Sequence, residues 1–309
     1  MATLTLSWML HPPAEFVGGA VTVGNFDGVH VGHRELVSVA NRWAARVGGK
    51  TVAVTFDPPP VALLNPAAMK LPLSTLGDRI EWLTNAGADH VLVLKTDAGL
   101  LSLSPEAFFE DVLVGLLESR AIIEGYNFRF GRARTGDTNT LHALCTRANI
   151  AFEEVPPKIV AGETVSSSRV RSALVAGDVI LASELLDRSY TIRGTVIAGA
   201  KRGRTIGFPT ANLAHIETLL PKDGVYAVRV LFNGKQYTAA ANIGPNPTFG
   251  ESAQKVEIHV IGFTGDLYDT TMTVDFMARL RDTRPFANVG ELVEQLKQDV
   301  ARAKSMLSH

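Results

Sequence analysis

The 309 residues of the chain indicate about two domains, at roughly 150 residues per domain. Lys and Arg number 30 against 31 Asp and Glu, a formal net charge of −1, which argues against a broad basic face for duplex nucleic acid. Apolar residues make up 46% of the chain and charged residues 20%, which excludes a disordered protein.

The sequence also predicts the cellular compartment of the protein and the role of its single cysteine. Cys145 is the one cysteine, so no disulfide forms within the chain. Its apolar surroundings predict a buried structural thiol rather than a nucleophile. The N-terminus lacks a positive region, and no apolar stretch reaches the roughly 18 residues of a membrane helix. We therefore expect a cytoplasmic protein without a membrane partner.

Residues 1–187 predict strands that alternate with helices. The predicted strands are 20–23, 51–56, 91–94 and 121–124, and the predicted helices are 36–47, 80–86, 105–117 and 138–149. This alternation favours a parallel sheet covered by helices, that is, an α/β/α domain.

The pattern of residues 188–309 indicates a different architecture. The predicted strands are 191–197, 225–232, 235–241, 255–261 and 271–276. Asn233-Gly234 between the second and third of them is a strong hairpin signal. The chain ends in a helix with one apolar face, made by Leu292, Leu296, Val300, Ala303 and Leu307. The pattern predicts a small antiparallel β-barrel with a terminal helix.

The segment GNFDGVHVGH at 24–33 follows the first apolar strand and opens the first helix. A helix N-terminus offers free N–H groups and a positive dipole end to phosphate. His30 and His33 share one face of a helical turn, where two imidazoles could stabilise charge developing on a triphosphate. The alternatives are a helix cap with incidental histidines, or a two-histidine metal site, for which no third ligand stands at ligand spacing nearby.

A second group of polar residues lies in the second half. The segments GAKRGR at 199–204 and GFPTAN at 207–212 could cradle phosphates. Thr210 and Asn212 offer oxygen ligands to Mg²⁺. In the strand KVEIHV at 255–260, Glu257 shares a face with Lys255 and His259. The alternatives are a basic surface loop, an ordinary turn and a solvated strand face.

These motifs resemble, in order, those of the bifunctional prokaryotic riboflavin kinase/FAD synthetase family. Four segments resemble the nucleotidyltransferase half of that family: 24–33, TFDP at 55–58, GYNFRFG at 125–131 with Gly136-Asp137, and SSSRVR at 166–171. Three segments resemble the kinase half: PTAN at 209–212, NIGPNPTF at 242–249 and VEIH at 256–259. The resemblance extends from about residue 17 to 303.

The resemblance implies a Rossmann-like nucleotidyltransferase domain at 1–187, which converts FMN to FAD with ATP and releases pyrophosphate. His30 and His33 would act on the ATP phosphates as catalytic residues. No protein nucleophile is needed, because the FMN phosphate attacks the α-phosphate directly. Further residues implied in binding ATP and its phosphates are Gly24, Asn25, Phe26, Asp27, Asn127, Ser167, Ser168 and Arg171.

The resemblance also implies a riboflavin kinase domain at 188–309, which phosphorylates riboflavin to FMN with ATP and Mg²⁺. Glu257 would be the general base for the riboflavin 5′-hydroxyl. Thr210 and Asn212 would hold Mg²⁺, and Arg281 would lie near the flavin. The residues implied in binding the nucleotide phosphates are Gly199, Lys201, Arg202, Gly203 and Gly207.

Five positions depart from the family pattern, of which Ser168 in place of threonine and Val170 in place of isoleucine are mild changes. Pro59 stands where histidine is usual, Asp269 where glycine is usual, and Thr283 where an acidic residue is frequent. They leave two alternatives, a protein that retains only one of the two activities and a non-catalytic flavin-binding regulatory protein. A nucleotidyltransferase for a different metabolite would not need the kinase motifs. Binding of RNA through the arginines of 129–134 would be strongly salt-dependent, and no nucleic-acid partner is expected.

Overall fold

The computed structural model describes residues 2–199, 202–245 and 254–307. Contacts divide the chain into two compact units, Met1–Lys70 with Ser74–Ser166 and Leu71–Leu73 with Ser167–His309. Residues 167–187 thus group with the second unit, whereas the sequence pattern assigned them to the first half. The functional division between 187 and 188 stays a prediction.

The first unit contains eight strands among its described residues. They are β1 (Ala2–Leu6), β2 (Ala20–Val23), β3 (Thr51–Asp57), β4 (His90–Lys95), β5 (Ala121–Gly125), β6 (Ala151–Val155), β7 (Ile159–Val160) and β8 (Glu163–Thr164). The helices are α1 (Val31–Val47), α2 (Pro60–Leu64), α3 (Leu76–Asn85), α4 (Ala98–Ser102), α5 (Pro105–Ala107) and α6 (Thr138–Ala148). A π-helical stretch, Phe108–Leu116, continues α5, and short 3₁₀ turns lie at Ala14–Phe16, Pro66–Ala68 and Arg132–Arg134.

Strands β1 to β6 form one parallel sheet in the order β1-β4-β3-β2-β5-β6. One face packs on the π-helical stretch and α6 through residues such as Leu113 and Leu141. The other face packs on α1 and α3 through Val37 and Leu83. The predicted α/β/α arrangement is therefore confirmed. The edge strands β1 and β6 were not predicted, because each is only partly buried and lacks the continuous apolar run of an inner strand.

The second unit is a closed antiparallel barrel with helices. Its strands are β9 (Tyr190–Ile197), β10 (Ala211–Ala214), β11 (Gly224–Phe232), β12 (Lys235–Gly244), β13 (Lys255–Val260) and β14 (Thr271–Arg281), in the barrel order β10-β13-β12-β11-β14-β9. Its helices are α7 (Ser167–Ala176), α8 (Val179–Leu186), α9 (Arg202–Thr205) and α10 (Val289–Leu307). The predicted barrel with a terminal helix is confirmed.

The predicted hairpin turn joins β11 and β12. Asn233 has φ 49° and Gly234 has φ 71°, the two positive values of a type I′ turn, which matches the twist of the flanking strands. Strand β10 was not predicted. Its four residues include no β-branched side chain, and its ladders with β13 and β9, rather than local propensity, make it a strand.

The terminal helix α10 packs on the outside of the barrel. Ala303 and Leu307 are buried with Val225, Ala227 and Leu280. The remaining three residues of the predicted apolar face are half-buried. Asp299, which the apolar pattern did not select, is 1% exposed on the same helix. A charge on the buried side of a helix needs a partner, and the residues around Asp299 supply one.

Cys145 is buried on α6 in the core of the first unit, as predicted. Burial raises the pKa of its thiol to about 12, because the apolar surroundings disfavour the thiolate. At neutral pH the group is therefore an unreactive thiol, in keeping with a structural role.

Candidate active sites

The loop between β2 and α1 has an unusual backbone path. Phe26 has φ 47°, Gly28 has φ 79° and Val29 has φ 39°. A positive φ at a β-branched residue such as Val29 is a genuine outlier. Such strain persists only where the surroundings impose it, and it is concentrated at functional sites. The loop is thus held in a defined shape rather than being a flexible connection.

The two predicted histidines lie side by side at the start of α1. His30 is the N-cap residue, and its Nδ1 accepts a hydrogen bond from the backbone N–H of His33 at 3.3 Å. The two imidazole rings stack with centroids 3.6 Å apart and planes 16° apart, and Phe26 meets His33 edge-on at 5.2 Å. A Cβ on Gly32 would come within 3.1 Å of the His30 ring. The cap and the paired imidazoles are therefore both present, at the positive end of a 17-residue helix.

Asp27, a predicted phosphate-binding residue, supports this loop from within. Its Oδ1 accepts hydrogen bonds from the backbone N–H and the Oγ–H of Ser74, both at 3.3 Å. Ser74 Oγ accepts in turn from the backbone N–H of Gly28 at 3.0 Å. The Gly24 N–H donates to the Val54 carbonyl at 2.9 Å. These bonds fix the path of the loop, a contribution of Ser74 that the sequence motif did not reveal.

Arg79 on α3 lies beneath the same region. Its Nη1 donates to Thr55 Oγ1 at 3.2 Å and to the Phe56 carbonyl at 3.4 Å, at the end of β3. Thr55 Oγ1 donates to the Asn25 carbonyl at 3.3 Å. Burial lowers the pKa of Arg79, and nearby Asp27 partly offsets that effect. Sequence reasoning missed Arg79, which lies one residue before the helix predicted at 80–86.

The sheet topology places two loops at one crevice. From β2 the chain proceeds through β3 and β4 on one side of the sheet, and then returns to β5 and β6 on the other. Strands β2 and β5 therefore flank a topological switch point, where ligands of open α/β sheets bind at the carboxyl ends of the strands. The His30/His33 loop follows β2, and Asn127 follows β5.

Asn127 is exposed at the start of the loop between β5 and α6. That loop is organised by stacked rings of Phe128 and Phe130, 5.5 Å apart. A salt bridge of 3.0 Å joins Arg129 to Asp137, the residue that caps α6. The loop that follows β5 is therefore structured, and Arg129 ties it to the start of α6.

Ser167, Ser168 and Arg171 open helix α7. Ser168 is exposed, and the other two are half-buried. Arg171 donates to the Ser167 carbonyl at 3.4 Å and to the Leu71 carbonyl at 3.5 Å. These residues group with the second unit, whereas His30 and His33 group with the first. Their predicted action on the same triphosphate stays a prediction.

The second unit brings polar residues of three neighbouring strands into one row. Glu257 on β13 is directly opposite Asn212 on β10 and opposite Asn242 on β12. Directly opposed residues share a face of the sheet, and all three side chains are half-buried. Their strand neighbours, such as Val256 and Ile258, are buried in the core. Asn242 was not among the predicted site residues, although it begins the quoted segment 242–249, whose residues 246–249 lie outside the described part.

The glycine-rich turn lies against this row. A Cβ on Gly199 would collide with the side chain of Asn212, and one on Gly203 would collide with the Phe208 carbonyl. Glycine therefore lets the turn approach the PTAN segment closely. Thr210 is exposed directly before β10, and Gly207 has φ 83°. Lys201 lies outside the described residues, and Arg202 begins α9.

Arg281, the predicted flavin contact, is held by the terminal helix. Its Nε donates to both carboxylate oxygens of Asp299 at 3.0 Å, and its Nη2 donates to Asp299 Oδ2 at 2.7 Å. The guanidinium carbon lies 5.7 Å from the centre of the Phe286 ring. These contacts explain the buried carboxylate of α10. A flavin contact of Arg281 is not tested by them and stays a prediction.

We expect Asp299→Asn to lower the free energy of unfolding of the second unit by about 3 kcal/mol, because it leaves the Arg281 guanidinium without its buried counter-charge. Thermal or urea unfolding measures the change. Glu294→Gln on the exposed face of α10 is the matched control and should shift stability by less than about 0.5 kcal/mol. Equal stability of Asp299→Asn and the control would contradict a structural ion pair.

The comparisons with known proteins match both halves of the chain. A model of the FAD synthetase family matches residues 13–169, and a model of the riboflavin kinase family matches residues 186–307. A bifunctional riboflavin kinase/FMN adenylyltransferase of Bacillus subtilis is 34% identical over 92% of this chain and 90% of its own. The enzyme of the same description from Pseudomonas fluorescens is 35% identical over 94% of each chain.

The chain belongs to the bifunctional riboflavin kinase/FMN adenylyltransferase family. It carries both domains of that family and is an enzyme, a transferase of flavin biosynthesis whose substrates are riboflavin, FMN and ATP. A solved structure described as a macrolide-efflux protein from Streptococcus pneumoniae is also similar, with 31% identity, 98% of each chain covered and a TM-score of 0.89. None of the helices within the described ranges has the length and apolar character needed to cross a membrane.

Proposed function

We propose that the two reactions of this family member are divided between its two halves. Residues 188–309 transfer the γ-phosphate of ATP to the 5′-hydroxyl of riboflavin and form FMN and ADP. Residues 1–187 transfer the AMP part of ATP to the phosphate of FMN and form FAD and pyrophosphate. A cytoplasmic location is part of this proposal, because both reactions consume ATP.

In the kinase reaction, Glu257 removes the proton of the riboflavin 5′-hydroxyl as its oxygen attacks the γ-phosphorus. A carboxylate is suited to this role when it lies within hydrogen-bond reach of the hydroxyl. The observation that supports this assignment is the row of Asn212, Glu257 and Asn242 on adjacent strands, beside a turn whose glycines allow close approach. Gly199, Lys201, Arg202, Gly203 and Gly207 would surround the nucleotide phosphates.

The residues near Glu257 also fit a magnesium ion. Thr210 contributes a hydroxyl oxygen and Asn212 an amide oxygen, which are the hard donors that Mg²⁺ prefers. Mg²⁺ usually takes few protein ligands and completes its shell with water and substrate phosphate oxygens. We propose that Thr210 and Asn212 hold it. When bound, the ion would neutralise part of the charge that develops on the transferred phosphoryl group.

In the adenylyl transfer, an oxygen of the FMN phosphate attacks the α-phosphorus of ATP, and pyrophosphate leaves. Positioning and charge stabilisation supply the catalysis. The observation that carries this assignment is the stacked imidazole pair at the N-terminus of α1, on the loop that leaves β2 at the switch point. His30 and His33 would stabilise the charge on the α-phosphate and the leaving group, with the backbone of Gly24–Asp27 around the phosphates.

The remaining assignments complete the two sites. Asn127, next to the crevice, would contact the FMN or ATP phosphates. Ser167, Ser168 and Arg171 would act on the triphosphate, where hydroxyls and a guanidinium suit phosphate oxygens. Arg281 would orient the flavin from its position against Asp299.

A chromatographic time course with riboflavin, ATP and Mg²⁺ tests the whole proposal. We expect FMN to form first and FAD to follow. Neither product should form when EDTA removes the metal. FMN without FAD would indicate a silent adenylyltransferase, with Pro59 the first residue to examine. No product would instead favour the flavin-binding regulatory protein.

A further inference from the structure

The parallel sheet of the first unit is split at its switch point. The ladder between β2 and β5 pairs Ala20 with Ala121 and Val21 with Ile122, and it goes no further. Strand β2 nevertheless stays paired with β3 as far as Val23, and β5 stays paired with β6 as far as Gly125. The two central strands therefore part from each other while each keeps its outer neighbour.

The side chain of Glu124 fills the place of the missing ladder bond. Glu124 is 1% exposed, and its Oε1 accepts a hydrogen bond of 2.6 Å from the backbone N–H of Val23. This N–H lies on the side of β2 that faces β5. A buried backbone N–H without a partner costs about 1–3 kcal/mol, so the carboxyl group satisfies a donor that the splitting of the strands would otherwise leave orphaned.

Burial raises the pKa of Glu124 well above its ordinary value, and the hydrogen bond from Val23 only partly offsets this effect. The side chain is thus a neutral acid over a range in which exposed glutamates are ionised. A neutral carboxyl can accept a hydrogen bond through its carbonyl oxygen without the large cost of burying a charge. Glutamine offers the same acceptor in the same place, whereas leucine offers none and methionine only a weakly accepting sulfur.

The position of this bond ties it to the nucleotidyltransferase site. Gly24, the next residue after Val23, donates to Val54 of β3 at 2.9 Å. The start of the His30/His33 loop is therefore held from β3 on one side and from Glu124 of β5 on the other. Without an acceptor at position 124, the Val23 N–H is left to solvent or to the main chain of β5, and either change alters where the loop leaves the sheet.

We propose that Glu124 is a positioning residue of the adenylyltransferase reaction, whose carboxyl takes the place of a β2–β5 ladder bond and so keeps the crevice open beneath the His30/His33 loop. The inference rests on the proposed use of this crevice by ATP. It differs from the roles of the motif residues, because Glu124 acts through the backbone of Val23 and Gly24 rather than on the phosphates.

The test compares Glu124→Leu with Glu124→Gln in the full-length chain. We expect the leucine variant to raise the KM for ATP in FAD formation from supplied FMN at least about tenfold, consistent with the loss of one buried hydrogen bond. The glutamine variant should stay within about threefold of wild type, because it retains the acceptor. Hydrogen exchange of the peptide 17–30 should become faster in the leucine variant alone. Riboflavin phosphorylation by the same molecules, unchanged in both variants, is the internal control.

Three outcomes would overturn the inference. The first is a leucine variant with the KM and exchange rate of wild type. The second is a glutamine variant as impaired as the leucine variant, since that would require the acid itself. The third is failure of both Glu124→Leu and Glu124→Met to fold, since the bond would then serve the whole unit rather than the crevice. Absence of FAD formation by the wild type contradicts the proposed function itself, and this inference with it, so the two failures are distinguishable.

Discussion

Replacing Glu257 by glutamine is expected to lower the rate of FMN formation by about 10³-fold, within the 10²–10⁴-fold that a general base contributes. The amide keeps the size of the side chain and its hydrogen-bonding capacity, but it cannot take the proton of the riboflavin hydroxyl. FAD formation from supplied FMN should be unchanged, because that reaction belongs to the other half of the chain. The initial rates of the two reactions, measured separately by chromatography, check this result.

The position of Glu257 makes this test specific. Its strand neighbours Val256 and Ile258 are buried in the core, whereas Glu257 is half-buried on the opposite face. A change from carboxylate to amide therefore leaves the core intact. Glu294→Gln, on the exposed side of α10, removes one carboxylate from the same unit and should leave both rates unchanged. FMN formation within about threefold of wild type in Glu257→Gln would contradict its role as the base.

Replacing His30 by asparagine together with His33 by glutamine is expected to lower FAD formation from FMN by at least about 10³-fold. Removal of a single donor of this kind costs about 10²–10³-fold in other enzymes, and both imidazoles are lost here. Asparagine is chosen at position 30 because His30 caps α1 through its ring nitrogen, and asparagine is a good N-cap. Helix α1 should therefore persist, and riboflavin phosphorylation should be unaffected.

A histidine elsewhere in the same unit provides the control. His142 is exposed on α6, where its ring lies against Phe152 at 5.8 Å. His142→Ala should leave both activities unchanged. If the double variant loses both activities while its circular dichroism matches wild type, the assignment of the two reactions to separate halves is wrong. If it retains FAD formation, the imidazoles only cap and stack, and the proposed charge stabilisation is wrong.

Some features follow from local patterns that the sequence displays directly. The inner strands β2 to β5 are mostly apolar, because both of their faces are covered by helices. The Asn233-Gly234 turn is specified by two residues that tolerate positive φ. The pair His30 and His33 is adjacent in the structure because three residues make nearly one helical turn. In each case the interaction that decides the structure lies within a few residues.

Other features depend on residues far apart in the chain. Strand β10 exists because β9 and β13 pair with it, and its own residues have little strand propensity. Asn242 faces Glu257 only through the register of β12 and β13. The grouping of α7 with the second unit by its contacts is not visible in the alternation of strands and helices, and the functional division between 187 and 188 stays a prediction. No local pattern encodes a partner chosen by sheet register.

The sequence by itself determined the two domain types, the histidine loop and the carboxylate strand, because periodicity and short motifs act over single turns and strands. Only the tertiary structure decided how these elements are supported. Arg79, Asp299 and Glu124 are buried ionisable residues whose burial the apolar patterns do not explain, and each has its partner in a different element. A buried polar group is tolerated only where the fold brings that partner to it, and this meeting is a property of the folded chain.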